Sequence, residues 1–262
     1  VLRSMFDQNS ATAPGADGGA VSVVGGAKLN MRASRIAGNR AVGGSGAGIT
    51  VKGSGTEILV EDTRIEDNVA SLGAGGVQLS SGCVGKLYGV RLERNLAENG
   101  NGGGVECIGA QLFHLRDSSI RSNEARMGYG GGISTTGTEE LLLETTKSLK
   151  CCEISGAGFH CTSEQAGCQP TVIQNNTALT SSGGGLYASS TKVLVRGVPA
   201  DVDPETGRVV ESSNKAMRHH VAVVRNNAQV GGGFFLTGSS TASLDKAWIK
   251  SNKAKYDGGG IA

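Results

Sequence analysis

Residues 118–133 read S-S-I-R-S-N-E-A-R-M-G-Y-G-G-G-I, and this stretch decides the fold. Ile120 is followed three places later by Asn123, and Ala125 comes two places after the asparagine. A polar turn and a run of glycines come next, and Ile133 then opens a new apolar segment. Most of the chain repeats this unit, and self-similarity at a fixed period indicates a fold of stacked copies.

Eight asparagines mark the copies, because each has an apolar residue three places before it and an alanine two places after it. They are Asn9, Asn39, Asn68, Asn95, Asn123, Asn176, Asn226 and Asn252. Most neighbours are 26 to 30 residues apart, but two intervals of 53 and 50 residues hold extra sequence. In the first, Cys152 takes the asparagine slot, which predicts a degenerate, cysteine-rich coil over residues 147–170. In the second, residues 198–218 contain Pro199 and Pro204 and are predicted to be an inserted loop.

Apolar and polar residues alternate within each copy, which is the period of a β-strand and not of a helix. Val21 and Val23 show the alternation after one glycine run, and Leu29 and Met31 show it again after a short turn. Three short strands and three turns fill about 27 residues, which is one coil of a parallel β-helix. We therefore expect an all-β solenoid of about nine coils of 24–30 residues. It would be a single domain over residues 1–262, a rod about 45 Å long at the usual strand spacing.

The asparagines are expected to form a structural ladder and not a ligand set. Asparagine tolerates the left-handed turn conformation that other non-glycine residues avoid. Stacked once per coil, its amide can form hydrogen bonds to the coils on either side. The alanine fits where the turn crowds the interior, and the glycines allow the close approach that a sharp corner needs.

Phe6 and Asn9, followed by Gly18-Gly19-Ala20-Val21, resemble the paired F-x-x-N and G-G-A-[ILV] motifs of chlamydial-type polymorphic outer-membrane proteins. The other copies are looser, with Ile, Leu or Val in place of Phe and Gly in place of Ala. The resemblance covers nearly the whole chain apart from the two interruptions, and it implies a right-handed parallel β-helix. In that family the repeats form the surface-exposed passenger of autotransporters and serve in adhesion. The resemblance therefore implies a non-enzymatic adhesin or structural rod at an extracellular or cell surface.

Charge and hydropathy argue against two classes of partner, nucleic acid and the membrane interior. The chain carries 25 basic and 23 acidic residues, a formal net charge of +2, which gives no electrostatic basis for nucleic-acid binding. No apolar run approaches the ~18 residues of a spanning helix, so no membrane insertion is expected of this segment. The sequence stops in mid-coil at Gly258-Gly259-Gly260-Ile261-Ala262, so we expect further coils of the same protein at both ends. The partner that remains is a protein or a glycan at a surface.

The cysteines form two groups. Cys83 and Cys107 lie in consecutive copies, and Cys107 takes the inward slot that Leu79 holds one copy earlier. Two interpretations fit this placement: a disulfide between the two cysteines, or two buried free thiols. The second group lies in the predicted degenerate coil, next to His160, and comprises Cys151, Cys152, Cys161 and Cys168. An even number of cysteines in a surface-type repeat favours disulfides, and a zinc site is the alternative.

Two features are expected to face outwards. Asn175 opens the sequon Asn175-Asn176-Thr177 and is the glycosylation candidate, because it directly precedes a ladder residue. The inserted loop is the candidate partner-binding feature, with the acidic residues Asp201, Asp203 and Glu205. Calcium is an alternative for these acids, but their spacing does not match an EF-hand. No metal site and no cofactor are therefore predicted.

An enzyme that acts on polysaccharides is the competing class, because such enzymes also use parallel β-helices. Asp62 and Asp117 each lie six residues before their asparagine, so they are expected two coils apart, at about 10 Å. Inverting glycosidases hold two carboxyl groups about 6.5–9.5 Å apart. No basic or aromatic residue repeats beside these acids, so no catalytic residue is assigned.

Overall fold

The computed structural model describes residues 1–146, 152–155, 158–161, 171–197 and 221–262. Within these ranges the chain forms strands joined by turns, and it forms no helix. Four parallel sheets contain eight, eight, seven and seven strands, and a separate two-stranded sheet stands apart from them. The prediction of an all-β parallel solenoid is confirmed.

Two of the sheets flank the ladder asparagines. The asparagine sheet holds the strands that precede them: β1 (Met5–Asp7), β5 (Arg35–Ala37), β9 (Arg64–Glu66), β13 (Arg91–Glu93), β17 (Ser119–Arg121), β23 (Val172–Gln174), β27 (Val221–Val224) and β31 (Ala247–Lys250). The alanine sheet holds two-residue strands that end in alanine: β2 (Ser10–Ala11), β6 (Arg40–Ala41), β10 (Val69–Ala70), β14 (Leu96–Ala97), β18 (Glu124–Ala125), β24 (Thr177–Ala178), β28 (Asn227–Ala228) and β32 (Lys253–Ala254).

The other two sheets complete each coil. The glycine sheet holds the strands that follow the glycine runs: β3 (Val21–Val24), β7 (Ile49–Lys52), β11 (Val77–Ser80), β15 (Val105–Ile108), β19 (Ile133–Thr136), β25 (Leu186–Ser189) and β29 (Phe234–Thr237). The closing sheet holds the five-residue strands that end each coil: β4 (Lys28–Arg32), β8 (Glu57–Glu61), β12 (Val84–Tyr88), β16 (Leu112–Arg116), β20 (Glu140–Glu144), β26 (Lys192–Arg196) and β30 (Thr241–Asp245).

A column of apolar side chains fills the space between the sheets. Successive side chains of a strand point to opposite faces, so Ile58 and Val60 are buried while Glu57 and Glu61 at the ends of β8 are partly exposed. Strands in neighbouring coils are in register, and Ile58 therefore pairs with Leu29 of the preceding coil. Full burial of such a side chain stabilises the fold by about 1.5–3 kcal/mol. The in-register column is thus a main source of cohesion between coils.

The alanine sheet is an element that the sequence did not predict, because three strands per coil were expected. Ala70 pairs with Ala41 on one side and with Ala97 on the other, and all three are buried. Two-residue strands are too short to show an alternating pattern. The invariant small residue in the repeat reflects this narrow fourth side of the coil.

The left-handed turn conformation was expected at the ladder asparagines, but they do not adopt it. It belongs to the residue directly before each of them. These residues have φ values between 53° and 64° and are Gln8, Gly38, Asp67, Arg94, Ser122, Asn175, Arg225 and Ser251. The outward residue thus makes the sharp turn, and the asparagine that follows can aim its amide into the stack.

The prediction of a ninth, degenerate coil over residues 147–170 is wrong. Ile120 of coil 5 pairs directly with Ile173 of coil 6, so no coil lies between them. Two strands within the interval, β21 (Cys152–Ser155) and β22 (Gly158–Cys161), instead pair with each other in antiparallel register. An antiparallel pair folds back on itself and does not extend a parallel ladder. The described residues therefore form eight coils, each headed by one ladder asparagine.

Both long intervals leave the stack at one corner, which we call the insertion corner. In coils 1 to 4 this corner joins the closing sheet to the next asparagine strand through two residues, such as Ala33 and Ser34. The first interval begins there after β20 and returns at β23, and the second begins after β26 and returns at β27. Since β20 pairs with β26 and β23 pairs with β27, the two exits lie on adjacent coils.

Candidate functional site

The six ladder asparagines between the first and the last coil use every hydrogen-bonding group of their amides. Asn95 donates from Nδ2 to Oδ1 of Asn123 at 3.0 Å and to the carbonyl oxygen of Ile65 at 2.9 Å. Its own Oδ1 accepts from the backbone N–H of Asn68 at 3.2 Å and from Asn68 Nδ2 at 2.9 Å. A primary amide has two donors and two lone pairs, so Asn95 is saturated. It is almost fully buried, which makes that saturation necessary.

The ladder continues across both long intervals. Asn123 donates from Nδ2 to Asn176 Oδ1 at 3.0 Å, and Asn176 does the same to Asn226 at 3.0 Å. The structure places all eight asparagines in one line, from Asn9 to Asn252. The insertions therefore do not interrupt the stack. The six inner amides are buried and have no spare group to offer a ligand.

Cys83 and Cys107 do not form a disulfide; both are free, buried thiols. Cys107 pairs in register with Leu79 and occupies a core slot, so it replaces an aliphatic side chain. The Cys83 Sγ donates to the carbonyl oxygen of Val51 at 3.6 Å. Burial raises the pKa of Cys83 to about 11 and raises that of Cys107 well above its usual value. Neither thiol is therefore poised for nucleophilic chemistry.

Of the other four cysteine candidates, the structure describes the backbone of two, Cys152 and Cys161. Cys152 and Cys161 are directly opposite each other in the hairpin of β21 and β22. Cys151 and Cys168, and the loop acids Asp201, Asp203 and Glu205, lie outside the described residues.

Asp62 and Asp117 each have a partner of their own. Asp62 forms an ion pair with Arg32 of the preceding coil, with Nε and Oδ2 3.5 Å apart. Asp117 accepts hydrogen bonds from the backbone N–H and the hydroxyl of Thr146, at 2.8 and 2.6 Å. Each acid is therefore engaged with a residue of its own neighbouring coil.

One chain of hydrogen bonds on the closing sheet does have the form of a proton relay. The Tyr88 hydroxyl lies 3.0 Å from His114 Nδ1, and His114 Nε2 lies 3.1 Å from Glu144 Oε2. The carboxylate favours the tautomer with hydrogen on Nε2, so Nδ1 is left to accept from the tyrosine. Burial lowers the pKa of His114 despite the opposing effect of Glu144, which keeps the ring neutral. The Arg116 guanidinium lies 3.8 Å from the centre of the Tyr88 ring.

A single carboxylate is buried on the outward side of the glycine sheet. Glu106 accepts from Asn101 Nδ2 at 3.0 Å and from Gln78 Nε2 at 3.1 Å. It also packs against Gly73, where an added Cβ would lie 2.8 Å from its Oε2. Burial raises the pKa of Glu106, and the two amide donors oppose that rise.

Residues 3–146 match the family model described as right handed beta helix region, which is more than half of the chain. The chain belongs to the right-handed β-helix family. Residues 170–189 of this β-helix also match the Chlamydia polymorphic membrane protein repeat. That stretch spans β23, β24 and β25 of coil 6, with Asn176 and its glycine run. The family resemblance drawn from the motifs is confirmed.

Comparisons of the β-helix with curated proteins and with solved structures found no match. In the part of the chain that the structure describes, no helix is long and apolar enough to cross a bilayer. Asn175, the sequon asparagine, is exposed at the left-handed turn of coil 6.

The β-helix also carries an aromatic stack that the sequence analysis missed. The ring of Tyr129 lies on that of Tyr187 with centroids 4.4 Å apart, and Tyr187 is stacked in turn on Phe235 at 5.7 Å. Tyr187 and Phe235 hold the same outward position of the glycine sheet, one place after the apolar residue that follows the glycines. Their common offset in the repeat was the signal that could have found them.

The outward side of the asparagine sheet is buried in coils 6 and 7. Val172, Ala222 and Val224 point away from the core, yet none is more than 6% exposed. Beside them, Arg121 Nε and Gln174 Oε1 are buried without a hydrogen-bond partner among the described residues. The chain re-enters the stack at these strands after each long interval. Trp248 packs against this small cluster from coil 8.

Proposed function

We propose that this right-handed β-helix is a non-enzymatic repeat domain that serves at an extracellular or cell surface as an adhesin or structural rod. The observation that carries the proposal is the uninterrupted stack of eight coils, with its saturated asparagine ladder. In a solenoid each coil contacts only its neighbours, so insertions can leave a corner without disturbing the rest. A rigid scaffold that displays loops suits binding better than it suits a closed catalytic pocket.

Three features support the surface location. Coil 6 matches a repeat named for a chlamydial membrane protein. Asn175 offers an exposed glycosylation sequon. The four cysteines of the first interval would suit an oxidising compartment.

The partner would be a protein or a glycan, and the inserted loop of residues 198–218 is one contact region. Its acidic residues Asp201, Asp203 and Glu205 would form the charged part of that contact. Loops carried on rigid scaffolds are where binding residues concentrate. Further coils of the same protein would extend the rod at either end.

Adhesion can be measured directly with the purified chain coupled to fluorescent beads. We expect beads that carry the β-helix to attach to cultured cells more than beads with a denatured and alkylated sample of the same protein. Equal attachment of native and denatured beads would contradict the adhesin role. The other role in the proposal, a structural rod that spaces other domains, would then remain.

The second candidate function is a polysaccharide-active enzyme, which the hydrogen-bonded chain of Tyr88, His114 and Glu144 favours. A tyrosine whose proton can pass to a carboxylate-oriented histidine is a possible general base. If this function is correct, the native protein should cleave an acidic or neutral polysaccharide, and His114→Gln should abolish cleavage without loss of fold. Absence of new reducing ends or unsaturated products over a polysaccharide panel would exclude it.

A further inference from the structure

Two Asn-Gly dipeptides follow each other at the corner of coil 4 that joins β14 to β15. They are Asn99-Gly100 and Asn101-Gly102, and no other asparagine of the chain precedes a glycine. Asparagine loses its amide most readily before glycine, because glycine has no side chain to hinder closure of the intermediate ring. The surroundings of the two dipeptides differ in the fold, so their reactivity should differ as well.

The side chain of Asn101 is held at both ends. Its Nδ2 donates to Glu106 Oε1 at 3.0 Å, and its Oδ1 accepts from the backbone N–H of Tyr129 at 2.9 Å. The nitrogen that would attack it belongs to Gly102, and this N–H donates to the carbonyl oxygen of Tyr129 at 2.9 Å. Ring closure at Asn101 therefore requires three hydrogen bonds to open, one of them to a buried carboxylate.

The contact with Glu106 also makes the amide of Asn101 important. A carboxylate at position 101 would face the Glu106 carboxylate in place of the present N–H donor. Two like charges at hydrogen-bond distance repel each other. Loss of this amide would thus disturb the packing of coils 4 and 5.

Asn99 is exposed and has fewer contacts. Its side chain makes one hydrogen bond, from Nδ2 to the carbonyl oxygen of Ser71 at 3.2 Å. Among the described residues, the backbone N–H of Gly100 has no hydrogen-bond acceptor. The attacking nitrogen and the target amide are thus free of the contacts that hold the second dipeptide.

The stack itself requires glycine after Asn99. A Cβ added to Gly100 would clash with the backbone nitrogen of Gly73 in coil 3, and one added to Gly128 in coil 5 would clash with the carbonyl oxygen of Gly100. Three successive coils are therefore in backbone contact at this corner. Their close packing imposes the residue that makes Asn99 reactive.

We propose that Asn99 is a self-modification site, at which the amide is lost without an enzyme while Asn101 keeps its amide in the folded protein. The Gly100 nitrogen attacks Asn99 Cγ, and the Cγ–Nδ2 bond breaks. Nδ2 leaves as ammonia with the proton that the Gly100 nitrogen gives up, and a five-membered succinimide remains. Water then opens the ring at either carbonyl and gives an aspartyl or an isoaspartyl residue.

The modification would mark the protein with a lasting change. It adds a negative charge directly after Glu98, whose Oε2 already accepts from Ser71 Oγ at 3.3 Å. The isoaspartyl product also lengthens the main chain by one carbon at the corner where Gly100 contacts Gly73. The site belongs to the coil itself and does not depend on the surface role proposed above.

Peptide mapping by mass spectrometry during incubation at mildly alkaline pH tests the proposal, with protein-isoaspartate methyltransferase as the probe for the isoaspartyl product. In the folded protein, amide loss should be at least about tenfold slower at Asn101 than at Asn99, because the contacts of Asn101 must open first. In urea the two rates should become similar, because both sites are then Asn-Gly in an open chain.

Two variants serve as controls. Asn99→Gln keeps an amide but would have to close a six-membered ring, so this peptide should gain no label from the methyltransferase. Glu106→Ala removes the acceptor of Asn101 Nδ2 and should speed amide loss at Asn101 in the folded protein.

Equal rates at the two asparagines in the folded protein would overturn the proposal. Amide loss at Asn99 that occurs in urea but not in the folded protein would overturn it as well. Both results come from the unaltered protein, so they decide the question even if Glu106→Ala does not fold. If that variant folds and Asn101 still reacts slowly, the protective role of Glu106 is wrong.

Discussion

At the residue scale, the fold depends on amides that have no unused hydrogen-bonding group. Asn95 accepts two hydrogen bonds from Asn68 and donates to both Asn123 and Ile65. The coil before and the coil after thus share one side chain. A substitution there affects three coils at once, which a solvent-facing residue of the same repeat does not.

Asn95→Ala should lower the free energy of unfolding by at least about 1–3 kcal/mol, because it leaves buried groups on both sides without partners. Asn9→Ala is the matched control. Asn9 donates to Asn39 but lies in the first coil, where its loss affects one neighbour. Urea melts of both variants check the difference, and equal losses would contradict the ladder as the stabilising feature.

Glu106 gives a second residue-scale prediction, in which pH matters. Burial raises its pKa, so the folded state holds the proton more tightly than the unfolded state does. The ionised carboxylate therefore costs stability at neutral pH, and that cost disappears as the pH falls through the folded pKa. Glu106→Gln should stabilise the protein at pH 7 and lose this advantage near pH 4. An advantage that is constant from pH 4 to 8 would show that charge is not the cause.

The repeat revealed the ladder residues but not the conformation of their neighbours. The left-handed slot holds Arg94, Ser122 and Gly38 among others, and these residues share no side-chain property. What they share is a backbone turn that exposes them. The pattern of apolar residue, asparagine and alanine is visible because packing constrains it, whereas the exposed turn leaves no comparable trace.

At the element scale, the hairpin of β21 and β22 is the one pair of described strands outside the parallel sheets. It was mistaken for a coil because its sequence imitates the spacing of the repeat, with Gly156 and Gly158 in place of a glycine run. The direct pairing of coils 5 and 6 shows what spacing alone could not show. Long-range pairing decides whether a segment joins a stack.

We predict that Cys152 and Cys161 form a disulfide. They are opposite each other in antiparallel register, and opposite residues have Cα atoms about 4.5–5.5 Å apart, within the range of disulfides. Peptide mapping without reductant should recover the two cysteines in one linked fragment. Cys83 and Cys107 serve as internal controls and should alkylate only after unfolding. Free alkylation of Cys152 in the native protein would contradict the prediction.

At the scale of the whole molecule, the two long intervals add chain without adding coils. The ladder and the asparagine sheet run directly from coil 5 to coil 6 and from coil 6 to coil 7. Sequence period predicted the architecture, because each regular coil repeats the same inward residues. It overestimated the length of the stack by one coil, and it did not reveal the outward aromatic stack, because only Tyr187 and Phe235 share an offset in the repeat while Tyr129 lies in a turn.

Removal of residues 198–218, with Gly197 joined to His219 by a short glycine linker, should leave the eight coils folded. The reason is that coils 6 and 7 contact each other without the loop. Far-UV circular dichroism should keep its β-sheet signal, and the melt should stay cooperative. If the loop binds the partner, attachment of beads to cells should fall. A variant that loses cooperative melting would show that the loop supports the stack.

The position of Trp248 gives the molecule a built-in optical reporter. It is the single tryptophan of the chain, and it lies in β31 of coil 8, with Lys250 Nζ 5.4 Å from its ring. Its fluorescence therefore senses the last coil, while circular dichroism averages over all eight. Fluorescence that shifts at lower denaturant than the dichroism would mean that the solenoid peels from that end. Coincident transitions would mean that the coils are lost as one unit.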